Sequence, residues 1–245
     1  MTGQLRAELV KQRSTETTVF LLLGMVGLVA LASALHVLAP GASSLASHSH
    51  QLQVFEVGTR VGMLFAALVG AMAITAEIRY GTIRPTFLVT PSRGPVLAAK
   101  LAVGAAAGIV FGLLAEGLMA GATTAALSAR GIDNQLSGGD YLQLLAGGTA
   151  AAALWATIGL GVGALVRNQV ATLVGLCAWL LLVENLLLPF VPGAGRFTPG
   201  SAGLALAGSI ADKLLAPAPA ALMLTLYASV AAGAGWLATL RRDVA

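Results

Sequence analysis

Three ionisable side chains interrupt long apolar stretches of the sequence: Arg60, Glu116 and Glu184. A charge in such a stretch is costly if the stretch crosses a membrane, so it is normally paired or functional. Counted along helices, the three lie about 21 to 24 Å from the same boundary. We therefore expect one or both glutamates to neutralise Arg60, with Glu56 as its partner one turn away. This pattern predicts a buried clamp; the alternative is contact with a substrate or proton transfer.

A second polar segment, residues 77–100, is the longest charged interruption in the sequence. Its cations, set against the single carboxylate of Glu77, are Arg79, Arg84, Arg93 and Lys100. Such a basic segment lies in water, on the side of a membrane that collects positive charge. Pro85 and Pro91 are typical of the start and end of a short helix, here residues 81–90. Its apolar side chains, which we expect to be exposed for a partner, are Ile83, Phe87 and Leu88.

Common catalytic and metal-binding motifs are missing from the sequence. A phosphate-binding loop requires a lysine directly after a glycine. The three lysines of this sequence follow valine, alanine and aspartate, so the sequence has no such loop. There is no Gly-x-Ser-x-Gly elbow and no His-Glu-x-x-His pair. His36, His48 and His50 lack helical i, i+4 spacing, and the last two predict a solvated loop rather than a metal site. We expect no catalysis, no metal and no cofactor in this chain.

The composition excludes an ordinary soluble domain. Hydrophobic residues make up 57% of the chain, charged residues only 10%, and the mean hydropathy is +0.86. The net charge of +4 comes from basic residues clustered beside apolar segments, without interleaved aromatic residues. That pattern indicates membrane topology rather than nucleic-acid binding. The sequence therefore predicts an all-α, multi-pass membrane protein with a single transmembrane domain, residues 1–245.

Six apolar runs divide the chain, each close to the roughly 20 residues that a ~30 Å hydrocarbon core requires. The predicted spans are residues 18–38, 54–76, 101–127, 141–166, 170–189 and 220–240. Residues 1–16 predict an interfacial helix along the membrane surface. Its characteristic side chains are Leu5, Leu9, Lys11 and Arg13. Residues 201–215 are apolar but too short to cross, and flanking prolines predict a re-entrant outer segment.

The distribution of basic residues orients the chain. Most fall on one predicted side: Arg6, Lys11, Arg13, Arg79, Arg84, Arg93, Lys100, Arg167, Arg241 and Arg242. Arg130, Arg196 and Lys213 fall on the other. This bias predicts that both termini lie in the cytosol and that the chain resides in the inner (plasma) membrane. A cleaved signal peptide is the alternative, but the first apolar run is too long for one.

Small residues line one face of the third predicted span, at Gly104, Gly108 and Gly112. Such a ridge lets another helix approach closely. Packing within one subunit and a seam between two copies fit it equally well.

Several stretches resemble permease subunits of the ABC-2 type exporter family. They are residues 5–14, residues 77–93, Lys100 at the start of the third span, and the basic end at 241–244. The likeness covers the whole chain in length, span number and order. It implies a six-span subunit that pairs in the bilayer with a second permease copy, identical or different. It also implies docking on a separate ATP-hydrolysing pair, which binds ATP and Mg²⁺.

In that family the helix before span one and the helix between spans two and three contact the ATPase, the latter as the coupling helix. The resemblance assigns coupling to Arg79, Tyr80, Gly81, Thr82, Arg84, Pro85, Thr86, Phe87 and Arg93. It further implies that a re-entrant helix precedes the last span and that spans two and five line the path. Apolar walls favour an amphipathic or lipid-like cargo, such as a drug.

Two other functions stay open on the sequence alone. A secondary transporter would use Arg60, Glu116 and Glu184 as an ion relay, although the chain has no duplicated halves. A membrane scaffold or membrane enzyme is the other, with only the missing catalytic motifs against it. No nucleic-acid partner is expected.

Overall fold

A computed structural model describes residues 2–38, 46–89, 93–209 and 214–241 of the chain. The regular secondary structure within these ranges is helical throughout. In chain order the helices are α1 Thr2–Ser14, α2 Glu16–Leu38, α3 His48–Arg79, α4 Ile83–Val89, α5 Arg93–Ala129, α6 Gly138–Val166, α7 Gln169–Ala178, a π-helical segment Trp179–Val183, α8 Glu184–Phe190, α9 Pro192–Gly195, α10 Pro199–Leu206 and α11 Pro217–Arg241.

Six helical segments are long and apolar enough to cross a membrane: α2, α3, α5, α6, the run from α7 into α8, and α11. The predicted all-helical architecture is therefore confirmed for the described residues, with six helical segments long and apolar enough to be the predicted spans. The helices are longer than the apolar runs; the 32 residues of α3 extend about 48 Å at 1.5 Å per residue. Its first turn contains His48 and His50, which corrects their prediction as loop residues. Ser47 caps that turn by accepting the His50 N–H.

The central helix is α6, which packs against α3, α5 and α11. Glycines bring the backbones into contact: a methyl group at Gly159 would overlap the Ala67 carbonyl of α3. The small-residue ridge of α5 faces α6 in the same way, since a methyl group at Gly108 would lie 2.8 Å from the Ala152 carbonyl oxygen. The ridge is thus used for packing within the chain, where close approach increases helix contact.

The fifth span is irregular. Its middle is the π-helical segment, and the side-chain amide of Asn185 donates hydrogen bonds to the carbonyls of Leu180 at 3.3 Å and Leu181 at 3.0 Å. Such π turns interrupt the regular pattern of backbone hydrogen bonds and occur frequently at functional sites. The side chain of Asn185 is thus held in place by the backbone of its own span.

The segment predicted as re-entrant, residues 201–215, overlaps α10, which begins two residues earlier and ends at Leu206. Thr198 caps this helix by accepting the Ser201 N–H at 3.4 Å, and the chain turns after it at Gly208, where φ is +87°. Every residue from Pro199 to Ala205 is buried, and α10 packs on α6 and α11. It therefore inserts into the bundle. Asp212 and Lys213, also in the predicted segment, lie outside the described residues.

One end of the bundle, the basic end, carries α1, α4, the last turn of α3 and the first turns of α5. The helix predicted over residues 81–90 corresponds to α4, which is preceded by a turn at Tyr80 and Gly81, whose φ is +69°. Thr90 lies outside the described residues, as do the side chains of Arg84 and Phe87. The other end of the bundle, called the opposite end, carries α10 and the starts of α3 and α6.

Candidate functional site

Four charged side chains meet at the basic end and are referred to as the ion cluster: Glu8, Lys11, Glu77 and Lys100. Lys100 is only 1% exposed. Its ammonium group lies 2.8 Å from Glu8 Oε2 and 2.8 Å from Glu77 Oε1. It also donates to the Ala73 carbonyl at 3.1 Å. An ammonium group has three N–H donors, so each donor of Lys100 has an acceptor.

Lys11 covers the ion cluster from the surface. Its Nζ donates to Glu8 Oε1 at 2.9 Å and to Glu77 Oε1 at 2.8 Å. Burial lowers the pKa of Lys11, but the hydrogen bonds and charges of Glu77 and Glu8 outweigh burial and raise this pKa above its ordinary value. Lys11 therefore keeps its charge at neutral pH, and two cations balance two carboxylates.

The prediction that Lys100 lies in water is wrong. Helix α5 begins at Arg93, so Lys100 sits two turns inside it, and α1 folds across this position. Glu8, which is 92 residues away in sequence, supplies one of its carboxylate contacts. A buried lysine of this kind is tolerated only because its charge is paired and its donors are satisfied.

The face of α1 that packs on the bundle is polar. Glu8 is buried, whereas Leu9 and Arg13 are exposed and Leu5 is half-buried. Leu9, one of the side chains named for the predicted interfacial helix, is thus free of packing within the described chain, as lipid contact at a membrane surface requires. The ion cluster, rather than apolar burial, holds α1 in place.

A cavity of about 390 Å³ opens beside the ion cluster, between α1, α2 and α3. Its lining includes Glu8, Lys11, Glu77, Tyr80 and Gln169. Within the described ranges, the Oε2 atom of Glu77 is buried without a hydrogen-bond partner. The cavity is therefore lined by the carboxylate of the ion cluster whose Oε2 atom lacks a partner among the described residues.

Some of the predicted coupling residues pack on the bundle, and others are exposed. Ile83 is only 4% exposed and packs with Ile74 and Leu97, which corrects the expectation that it awaits a partner. Leu88, by contrast, is 81% exposed. Arg79 donates to Gln169 Oε1 at 3.3 Å while staying exposed. The other exposed members of the set are Tyr80, Gly81, Thr82 and Pro85, with Thr86 half-buried.

Arg93 is directed back onto the bundle. Its Nη1 donates to the carbonyls of Thr239 at 2.9 Å and Leu240 at 3.4 Å, at the end of α11. A guanidinium at this position satisfies carbonyls that the helix leaves unpaired and balances the negative end of its dipole. This position corrects the expectation that Arg93 reaches toward a partner.

At the opposite end, Arg60 does not pair with Glu116 or Glu184 in the described part of the chain, contrary to expectation. Its Nη1 donates to Asn185 Oδ1 at 3.2 Å. The nearest carboxylate is that of Glu56, with Oε2 3.9 Å from Nη2, which is the i, i+4 neighbour. Glu56 also accepts a hydrogen bond from the Ser209 hydroxyl, which follows α10.

Glu116 and Glu184 each have neutral partners of their own. Glu116 is buried where α5 meets α3, and it accepts the Thr59 hydroxyl at 2.6 Å. Glu184 accepts the Trp179 indole N–H at 2.6 Å and the Gly200 N–H, at the start of α10, at 2.8 Å. Residues at one depth need not meet, because each side chain projects from its own face of a helix.

Sequence reasoning missed several members of these sites. Glu8 carried a signal, since it lies three residues before Lys11 on a predicted helix and completes an ion pair with it. Asn185 was also detectable as a second polar residue in an apolar run. Ser209 carried no signal, because its contact with Glu56 joins residues 153 positions apart.

The sequence was also compared with known proteins. No protein-family model matches the chain, and no curated protein matches it. A function for the chain is therefore argued from its residues and their geometry.

Proposed function

We propose that this chain is the membrane subunit of an ATP-binding cassette exporter of the ABC-2 type. It would work as a pair of permease copies and move an amphipathic substrate with energy from a separate ATPase subunit. The observation that carries the proposal is the ion cluster, which fixes α1 to α3 and α5 beside the short helix α4.

This arrangement offers a rigid base with an exposed contact surface. Ile83 anchors α4 to the bundle, and Leu88 on the same helix is exposed. A partner that grips α1 and α4 would move both together, because the ion cluster ties α1 to the helices that flank α4. Such movement would pass along α3 and α5, since a rigid helix transmits displacement over its length.

The charge of the basic end fits an acidic partner surface. Arg13 and Arg79 are exposed there, and Arg84 lies on α4. In this proposal the basic end faces the cytosol, where positive residues accumulate and where an ATPase has its nucleotide. The sequence contains no phosphate-binding loop, so the partner would bind ATP and Mg²⁺.

The geometry favours this function over an ion-coupled transporter. A proton relay needs neighbouring groups that exchange protons directly or through water. Within the described residues, however, Arg60, Glu116 and Glu184 each contact different partners, and no salt bridge joins any two of them. An exposed helix at the basic end would also serve a non-transporting scaffold, and ATPase activity of the partner distinguishes the two functions.

A cross-linking experiment tests the proposal. Cys177 is the only cysteine, so Cys177→Ala gives a background in which Leu88→Cys places one thiol on α4. We expect this variant, in its native membrane, to cross-link to a protein that hydrolyses ATP. Leu142→Cys is the matched control, since Leu142 is 68% exposed on α6 at the opposite end. Equal cross-linking at both positions, or a partner without ATPase activity, would refute the proposal.

The same surface predicts a loss of coupling. Leu88→Glu places a charge at the contact and should abolish both co-purification of the ATPase and substrate-stimulated ATP turnover, while the chain stays inserted. Arg84→Glu and Phe87→Ala are expected to act alike. Turnover of assembled complexes at the unsubstituted rate would contradict the assignment of α4.

A further inference from the structure

Arg60 is an exposed charge in the long central part of α3, which otherwise exposes very little. Every other residue from Val54 to Ile78 is buried or half-buried, whereas the Arg60 side chain is 43% exposed. It lies 16 residues, about 24 Å, from Ala76 at the boundary near the basic end. In a hydrocarbon core of about 30 Å, that position is inside the membrane, where a charge facing lipid is costly.

The guanidinium of Arg60 has donors to spare. Of its five N–H groups, one has an acceptor in the part of the chain that the structure describes, the Oδ1 atom of Asn185. Glu56 lies 3.9 Å away, which is an ion pair but too long for a hydrogen bond. Within the described residues, the remaining donors of Arg60 have no acceptor, although they lie at an accessible surface.

Asn185 fixes the direction of this arginine. Its amide nitrogen is committed to the carbonyls of the π-helical segment, so its amide oxygen is left to accept from Arg60. The side chain joins spans two and five at this depth. A π turn locked by a polar side chain is a feature that often accompanies a functional site.

The surface around this pair is apolar. Leu181, Leu182 and Leu186 of the fifth span are all exposed beside Asn185 in sequence. A polar donor group set in an apolar surface matches a molecule with one polar head and an apolar chain. Such a molecule would bury its chain on the leucines while its head meets Arg60.

The charge of a head group that would bind here follows from which charged side chains are accessible. The carboxylates nearest in depth are buried or nearly so: Glu116 is 2% exposed, Glu184 is 7% exposed and the side chain of Glu56 is 13% exposed. Arg60 is therefore the charge that a molecule at this surface meets first. A guanidinium binds carboxylate or phosphate with two parallel hydrogen bonds, which needs donors of the kind left unused here.

We propose that Arg60 and Asn185 form a binding site for the acidic head group of an amphipathic molecule, with its apolar chain on the leucines of the fifth span. The inference rests on the proposed function in treating this molecule as cargo. It narrows the cargo from amphipathic molecules in general to those with a carboxylate or phosphate head.

Binding to the purified chain in nanodiscs of zwitterionic lipid tests the proposal. The probes are laurate, dodecanol and dodecylamine, which share a twelve-carbon chain and differ in head group. Laurate should bind more tightly than the other two, and Arg60→Gln should weaken laurate binding about tenfold by removing a charged hydrogen bond, without affecting dodecanol. Arg60→Lys should restore part of the affinity, because it keeps the charge but not the paired donors.

Arg130→Gln is the matched control, since Arg130 is an exposed arginine following α5 at the opposite end. It removes the same charge and should leave laurate binding unchanged. Equal laurate affinity in Arg60→Gln, or an equal loss of dodecanol binding, would overturn the proposal. Folding of each variant is checked by its elution as a single species.

Adding phosphatidylglycerol to the nanodisc distinguishes cargo from resident lipid as the source of the acidic head group. Laurate affinity that is unchanged by this lipid supports a cargo site, and strong competition would assign the site to resident lipid instead. The assay contains no ATPase, so absence of laurate binding would leave the exporter proposal standing. Conversely, a chain that binds laurate through Arg60 but has no ATPase partner would refute only the proposed function.

Discussion

The ion cluster and the Arg60 site differ in burial and in completeness. In the ion cluster, Lys100 is buried and each of its donors has an acceptor within the chain. At the opposite end, Arg60 is exposed, and one of its donors has an acceptor among the described residues. The first arrangement holds three helices together, and among the described residues only Oε2 of Glu77 in it lacks a partner. We expect the second to contribute little to the fold, and its other donors are those proposed to bind an acidic head group.

With the proposed site at Arg60, this contrast separates charge that holds helices together from charge that binds a ligand. A balanced cluster is strongly destabilised when a buried member is removed, because the remaining charges lose their compensation. An exposed cation inside the membrane can be removed without a loss of stability, because its own charge is costly there. Stability measurements on substitutions at the two ends should therefore separate structural charge from binding charge.

The largest effect is expected for Lys100→Met. The change leaves the carboxylates of Glu8 and Glu77 close together with only Lys11 between them, and we expect a loss of about 3–5 kcal/mol in the free energy of unfolding. Denaturant titration in mixed micelles measures this loss. Lys11→Met is the control; Lys11 is 45% exposed, and its removal should change the free energy by less than about 1 kcal/mol. Equal effects would contradict the assignment of Lys100 as the centre of the cluster.

An intermediate effect is expected for Glu184→Leu. The leucine leaves the Gly200 N–H and the Trp179 indole N–H without their acceptor, and about 1–3 kcal/mol of stability should be lost. Glu184→Gln keeps an oxygen that both donors can use, so it should retain most of the stability. The same titration tests both variants. A loss in Glu184→Gln as large as in Glu184→Leu would mean that the charge, rather than the acceptor, holds α10.

The smallest effect is expected for Arg60→Met. Its single hydrogen bond and its partly exposed ion pair contribute little, and the substitution removes a costly charge from the membrane, so we expect no loss in the free energy of unfolding. Thermal unfolding compared with the unsubstituted protein measures the change. A destabilisation as large as that of Lys100→Met would show that Arg60 is a structural charge and would remove the contrast between the two ends.

The sequence alone determined the architecture of the spans. Six apolar runs of sufficient length predict six membrane-crossing helices because backbone polar groups in lipid must be satisfied within the helix itself. The helix between the second and third spans was also predictable, since Pro85 and the surrounding charges act locally. These features depend on residues close together in the chain, and the structure departs from them mainly by extending the helices.

Only the tertiary structure decided which charges meet. Lys100 looks like a solvated lysine in sequence, yet α1 brings Glu8 across 92 residues to bury it. Arg60 and Glu116 share a depth, but Thr59 meets the carboxylate and Asn185 meets the guanidinium. Periodicity and hydropathy fix how far along a helix a residue lies, whereas the rotation of each packed helix determines its partners. That rotation depends on close contacts such as Gly159 against Ala67, which form between distant parts of the chain.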